Sequence, residues 1–180
     1  MRAQLTLLLL FFLASQAAAG AKISEIKVNL DGDRVLTTFT LREAFDRRLA
    51  ERVESGLPTS ILYRFELARD RKRWWDQQLK KNSLEVVTTY DAVARAYTVH
   101  FRLDDKLIES RTVRERKALE EAMTEIERLP VFSVAGLPND WRLLVKVQAE
   151  MGSRTVLSFI PVTINTDWKE SSKFRAPGTR

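Results

Sequence analysis

Ile61-Leu62-Tyr63-Arg64-Phe65-Glu66-Leu67 is the stretch whose pattern decides the fold. Ile61, Tyr63, Phe65 and Leu67 fall on one side of an extended chain and Leu62, Arg64 and Glu66 on the other, the period of two that marks a strand with one buried face. The same alternation occurs upstream at Ile26, Val28 and Leu30, and at Val35, Thr37, Phe39 and Leu41. Asp31-Gly32-Asp33 lies between these two runs as a turn signal, so a hairpin is expected. Downstream the alternation returns at Leu84, Val86, Thr88 and Tyr90 and, after a turn at Asp91 to Ala94, at Tyr97, Val99, Phe101 and Leu103. It is longest over Trp141, Leu143, Val145, Val147 and Ala149. Gly152-Ser153 is then expected to turn the chain into a last strand over Val156 to Ile164, with Pro161 at an edge or bulge.

Two segments change period. Over residues 42 to 55, Leu41, Phe45, Leu49 and Val53 are spaced by four with charged residues between them, which predicts a helix ended by Gly56-Leu57-Pro58. Thr112-Val113-Arg114-Glu115 has the form of a capping box. It is followed by Leu119, Ala122, Met123, Ile126 and Leu129 on one helical face, up to Pro130. Arg69 to Asn82 is expected as a polar and aromatic connector. Polar outer faces argue for antiparallel sheets covered on one side. The expected fold is a mainly β, antiparallel sandwich-like domain over residues 22–168 with two amphipathic helices. Strand, strand, helix, Leu-Pro, strand reads twice along it, as a duplicated unit would. Lys169 to Arg180 is polar and without period, and is expected as a mobile tail.

The 180 residues are 44% hydrophobic and 30% charged, enough for one core without a disulfide or metal staple. With no cysteine, thiolate nucleophiles, iron–sulfur ligation and Cys-containing zinc sites are excluded. His100, the only histidine, has no partner for a two-His metal site, and no Gly-rich phosphate loop is present. No cofactor and no metal are therefore expected. Met1-Arg2, an apolar run from Leu5 to Leu13 and the small-residue exit Ser15-Gln16-Ala17-Ala18-Ala19 read as a secretory signal peptide, residues 1–19, cleaved after Ala19 or alternatively Ala21. Removing Arg2, the one charged residue in 1–19, takes the formal charge from +6 to +5. The expected location is periplasmic or extracellular, with no transmembrane helix after cleavage.

Chemistry is sparse. Asp31 with Asp33, Asp104 with Asp105, and Asp91 fall in expected turns, where Asp bonds nearby backbone N–H groups. Asp76 stands alone, and with no activated nucleophile or base no catalytic residue is assigned. The densest constellation is Arg69-Asp70-Arg71-Lys72-Arg73-Trp74-Trp75-Asp76. Arg71, Arg73, Trp74, Trp75 and Asp76 are the candidate partner-binding residues, because Trp and Arg dominate contact hot spots. A competing reading has one indole plugging the sandwich end while the basic run is solvated. Adjacent residues of an extended chain point to opposite faces, so at most one indole is easily buried.

These motifs, in order, resemble the family of exported bacterial proteins known as domain of unknown function 4390. The resemblance rests on Leu41-Arg42-Glu43-Ala44-Phe45 with Gly56-Leu57-Pro58, on Arg71-Lys72-Arg73-Trp74-Trp75-Asp76, and on Tyr90-Asp91-Ala92-Val93-Ala94-Arg95-Ala96-Tyr97. It continues through Ala118 to Ile126 and Asp167-Trp168-Lys169-Glu170-Ser171-Ser172. It implies an exported domain without assigned activity, cofactor or catalytic residue, and its setting among envelope signalling genes implies a sensor kinase as partner. The expected function is thus a non-enzymatic envelope module that binds a protein. The alternative is recognition of an envelope glycan or anionic lipid surface by the same patch, with an enzyme third and nucleic acid excluded by compartment.

Overall fold

The structure is a computed structural model and describes residues 20–71, 75–156 and 160–177. The expected leader, residues 1–19, lies outside them, as do Lys72, Arg73 and Trp74. In chain order the elements are β1 (Lys22–Ile23), β2 (Lys27–Asp31), β3 (Arg34–Arg42), α1 (Arg47–Glu54), β4 (Thr59–Arg69), β5 (Gln77–Asp91) and β6 (Ala96–Leu103). There follow β7 (Lys106–Val113), α2 (Arg116–Thr124), β8 (Glu125–Ser133), β9 (Leu143–Val156), β10 (Ile160–Asn165) and β11 (Lys169–Glu170).

Two antiparallel sheets result. In the smaller, β3 is central, with β1 and β2 along one edge and β8 on the other. The larger runs β10-β9-β4-β5-β6-β7, with β11 also on β9. Ile61, Tyr63, Phe65 and Leu67 all point into the core, as their alternation requires, and Val145, Val147 and Ala149 do the same beside them on β9. Phe39 of the small sheet meets the edges of Tyr63 and Phe65 at ring-centroid distances of 5.4 and 6.0 Å, which joins the sheets. Burying one such ring stabilises the fold by roughly 1.5–3 kcal/mol. The hairpin at Asp31–Arg34 turns through Gly32, whose φ of +61° needs glycine. Asp46 caps α1 by accepting from the Leu49 N–H at 2.8 Å, and Gly56 ends it at φ +79°.

Several expectations are corrected. Helix α1 starts at Arg47, because β3 runs to Arg42 and Glu43 breaks the chain with φ +59°. Thr112 and Val113 belong to β7, so no capping box forms. Glu115 is the α2 N-cap, without a side-chain cap bond. Helix α2 ends at Thr124 and passes directly into β8, which places Ile126, Leu129 and Pro130 in a strand. The second half therefore runs strand, strand, strand, helix, strand, the order that β1, β2, β3, α1 and β4 also follow, but its Leu129-Pro130 lies inside β8 and not between helix and strand as Leu57-Pro58 does. Gln77 to Asn82 are strand, not connector, and make β5, at 15 residues, longer than β9 at 14, while Trp141 precedes β9. Gly152 and Ser153 lie inside β9 and turn nothing. Pro161 sits on the edge strand β10, as expected.

The segment from Lys169 does not trail away. Lys169 and Glu170 pair with Val147 and Lys146, Ser171 N–H donates to Val145 O, and Phe174 exchanges two backbone hydrogen bonds of 2.8 Å with Leu143. Its polar composition hid this because the attachment is made by backbone groups, which carry no periodic side-chain signature.

Candidate binding site

The connector between β4 and β5 spans residues 70–76 and leaves the last β4–β5 pair, Arg69 with Gln77. Its ends are clamped. The Asp70 N–H donates to Arg142 O at 2.8 Å, and the Asp70 carboxylate takes Lys173 Nζ at 2.9 Å and Arg142 Nε at 3.3 Å. Asp76 meets Lys146 Nζ at 2.9 Å, and the same ammonium meets Glu170 at 2.8 Å. Burial alone would lower the pKa of Lys146. Its hydrogen bonds to Glu170 and Asp76 outweigh that and hold it above the usual lysine value. Arg71 donates to the Gln77 side chain, and the Arg69 guanidinium stacks 3.9 Å over the Trp141 ring.

Between these clamps Trp75 is 92% exposed. Of the five sequence-derived candidates, Arg71 and Trp75 are therefore exposed at one end of the large sheet. Asp76 faces inward to Lys146 and acts as an anchor more than as a contact. Arg73 and Trp74 lie outside the described residues. Sequence reasoning missed Trp141, Arg142, Lys146 and Lys173, which β9 and the C-terminal segment bring to the same end. The usable signal was the Trp141-Arg142 pair immediately ahead of the Leu143 alternation. Among the described residues, Arg142, Lys146 and Lys173 pair there with the carboxylates Asp70, Asp76 and Glu170, while the cations Arg69 and Arg71 contact Trp141 and Gln77 instead. The end thus has a positive excess.

The carboxylates considered for acid–base chemistry hold turns instead. Asp31 pairs with Arg34 at 2.5 Å, Asp91 accepts from the Val93 and Ala94 N–H groups, and Asp104 accepts from the Ser83 N–H at 2.9 Å. The Ser133 hydroxyl, 2.6 Å from Asp33, lowers that carboxyl's pKa. His100 Nδ1 lies 2.8 Å from Ser110 Oγ. Among the described residues no group of three His, Cys, Asp or Glu could hold a metal ion, and no helix is long and apolar enough to cross a membrane.

A concavity of about 440 Å³ lies on the outward face of the large sheet, where Arg64, Glu66, Lys81, Asp104 and Trp168 line it. Its charges are engaged with one another or with the backbone. Lys81 meets Glu66 at 3.6 Å, Arg64 meets Glu150 at 2.5 Å, and Asp104 holds Ser83.

A family model described as "Domain of unknown function (DUF4390)" matches residues 18–175. No curated protein and no solved structure matches the chain.

Proposed function

The chain belongs to the DUF4390 family, whose description is of unknown function, and from that premise we propose that it is an exported, non-enzymatic envelope domain. In this reading it docks an acidic face of a partner protein, of which an envelope sensor kinase is the class considered, at the connector end of its large sheet. The observation that carries the reading is Trp75, an indole 92% exposed on a connector whose two flanking carboxylates are each gripped by cations. A large aromatic held out by a rigid frame loses little conformational freedom on contact, which is what makes Trp an efficient anchor. The positive excess around it steers an acidic face toward the indole. Export rests on the leader-like composition of residues 1–19.

The test is photo-cross-linking in cells from position 75, with position 93 as control. Val93 is equally exposed, at 97%, but lies past the opposite end of the 15-residue β5. The expected result is a discrete protein adduct from position 75, absent from position 93 and weakened by Arg71→Glu. Adducts from both positions, or from neither, overturn the reading. An adduct to glycan or lipid alone replaces the protein partner with that ligand.

A further inference from the structure

Strand β7 forms one edge of the large sheet. It pairs with β6 on one side and with nothing among the described residues on the other. Residues 106–112 are all exposed, Leu107 and Ile108 included, and the strand holds neither Pro nor Gly. The other edges are blunted: β10 carries Pro161, β8 carries Pro130 and a positive φ at Arg128, and the β1–β2 edge is interrupted between Ile23 and Lys27. An open row of N–H and C=O groups is a template for another strand.

We propose that β7 pairs antiparallel with β7 of a second copy of this chain, across a two-fold axis normal to the sheet. That symmetry keeps each side chain on its own side of the sheet, so facing residues must share parity within the regular stretch Glu109–Val113. A centre at Glu109 sets carboxylate against carboxylate, and a centre at Arg111 sets guanidinium against guanidinium. A centre at Ser110 brings Ser110 opposite its own counterpart and Glu109 opposite Arg111 of the other copy, twice over. Only this register is charge-complementary. Both charges are already held at the edge: Arg111 Nη2 donates to Glu109 Oε2 at 3.1 Å, and its guanidinium lies 4.8 Å over the Phe101 ring. Pairing closes these into a ring of four alternating charges. Leu107 and Ile108 sit where the ladder with β6 shifts register, between Phe101 and Arg102. The second copy's Thr112 and Val113 arrive beside them and cover their apolar surface. The ladder is short, so the dimer is a reversible one of micromolar affinity and not a permanent assembly.

Because the chain has no cysteine, Ser110→Cys introduces a single thiol. Facing Cα atoms in an antiparallel pair lie about 4.5–5.5 Å apart, within disulfide reach. Mild oxidation of the full chain should produce covalent dimer from Ser110→Cys at least about tenfold faster than from the exposed loop control Val93→Cys. Light scattering of the wild type should pass from monomer to dimer with rising concentration. Glu109→Arg or Arg111→Glu should each raise the midpoint about tenfold or more, and the double variant should restore it. Circular dichroism checks that each variant folds, and the cysteine experiment tests the register with both charges intact. A wild type that stays monomeric, a double variant no better than the singles, or equal oxidation at positions 93 and 110 overturns the proposal. A foreign strand occupying this edge would give the first of these results.

Discussion

The Tyr63 hydroxyl in β4 donates to the backbone carbonyl of Met123 at 2.8 Å, tying the centre of the large sheet to the last turn of α2. Helix ends leave carbonyls without helical partners, and this phenol satisfies one of them inside the core. Burial also pushes the Tyr63 pKa up, which favours the protonated, donating hydroxyl. Tyr63→Phe should lower stability by about 1–3 kcal/mol, as expected for stranding a buried acceptor. Urea unfolding measures it, and a change under about 0.5 kcal/mol would show that the helix end does not depend on the bond.

Lys146 gives the fold an alkaline limb. Its folded pKa is raised above the unfolded lysine value of 10.5, so its contribution is complete below that pH and is lost as pH rises through the folded value. Lys146→Met should destabilise the protein by about 1–2 kcal/mol at pH 8. The gap from wild type should narrow above the raised value. Denaturation at several alkaline pH values checks this, and a gap that stays constant would assign the loss to packing.

Truncation before Ser171 removes the Ser171 and Phe174 backbone bonds and the Lys173 contact with Asp70. The expected outcome is a lower melting temperature together with faster proteolysis within residues 70–76. If melting falls but the connector is cut no faster, the contacts of Asp70 other than Lys173 suffice to hold it.

Thr37 and Thr88 carry buried hydroxyls without a hydrogen-bond partner among the described residues. Thr88→Val keeps the shape and removes the unpaired oxygen, so stability should rise by about 1 kcal/mol. Thermal unfolding provides the measurement, and a decrease would mean that the hydroxyl is engaged.

Strands with one wet face were legible in the sequence because burial writes itself as alternation: Ile61 to Leu67 and Tyr97 to Leu103 are the clear cases. Strand β7 was not, since both its faces are exposed and no residue type is demanded of either. Strand β8 was misread for a different reason. Its register slips twice against β3, and Arg128 adopts φ +47° within the second slip, so buried Ile126 and Leu129 stand three apart, as on a helix. The exposed indole at the connector was legible as a candidate, but its clamp was not. Arg142 and Lys173 reach Asp70 only in the completed sheet.

The Asp70–Lys173 contact joins positions 103 apart in sequence. Closing so long a loop is entropically costly until the strands between have docked, so it belongs to the late stages of folding. The sheets can assemble first, while the Asp70 anchor near Trp75 closes only at the end. A chain stalled short of that point would already have a core, yet would present its indole on a loose tether.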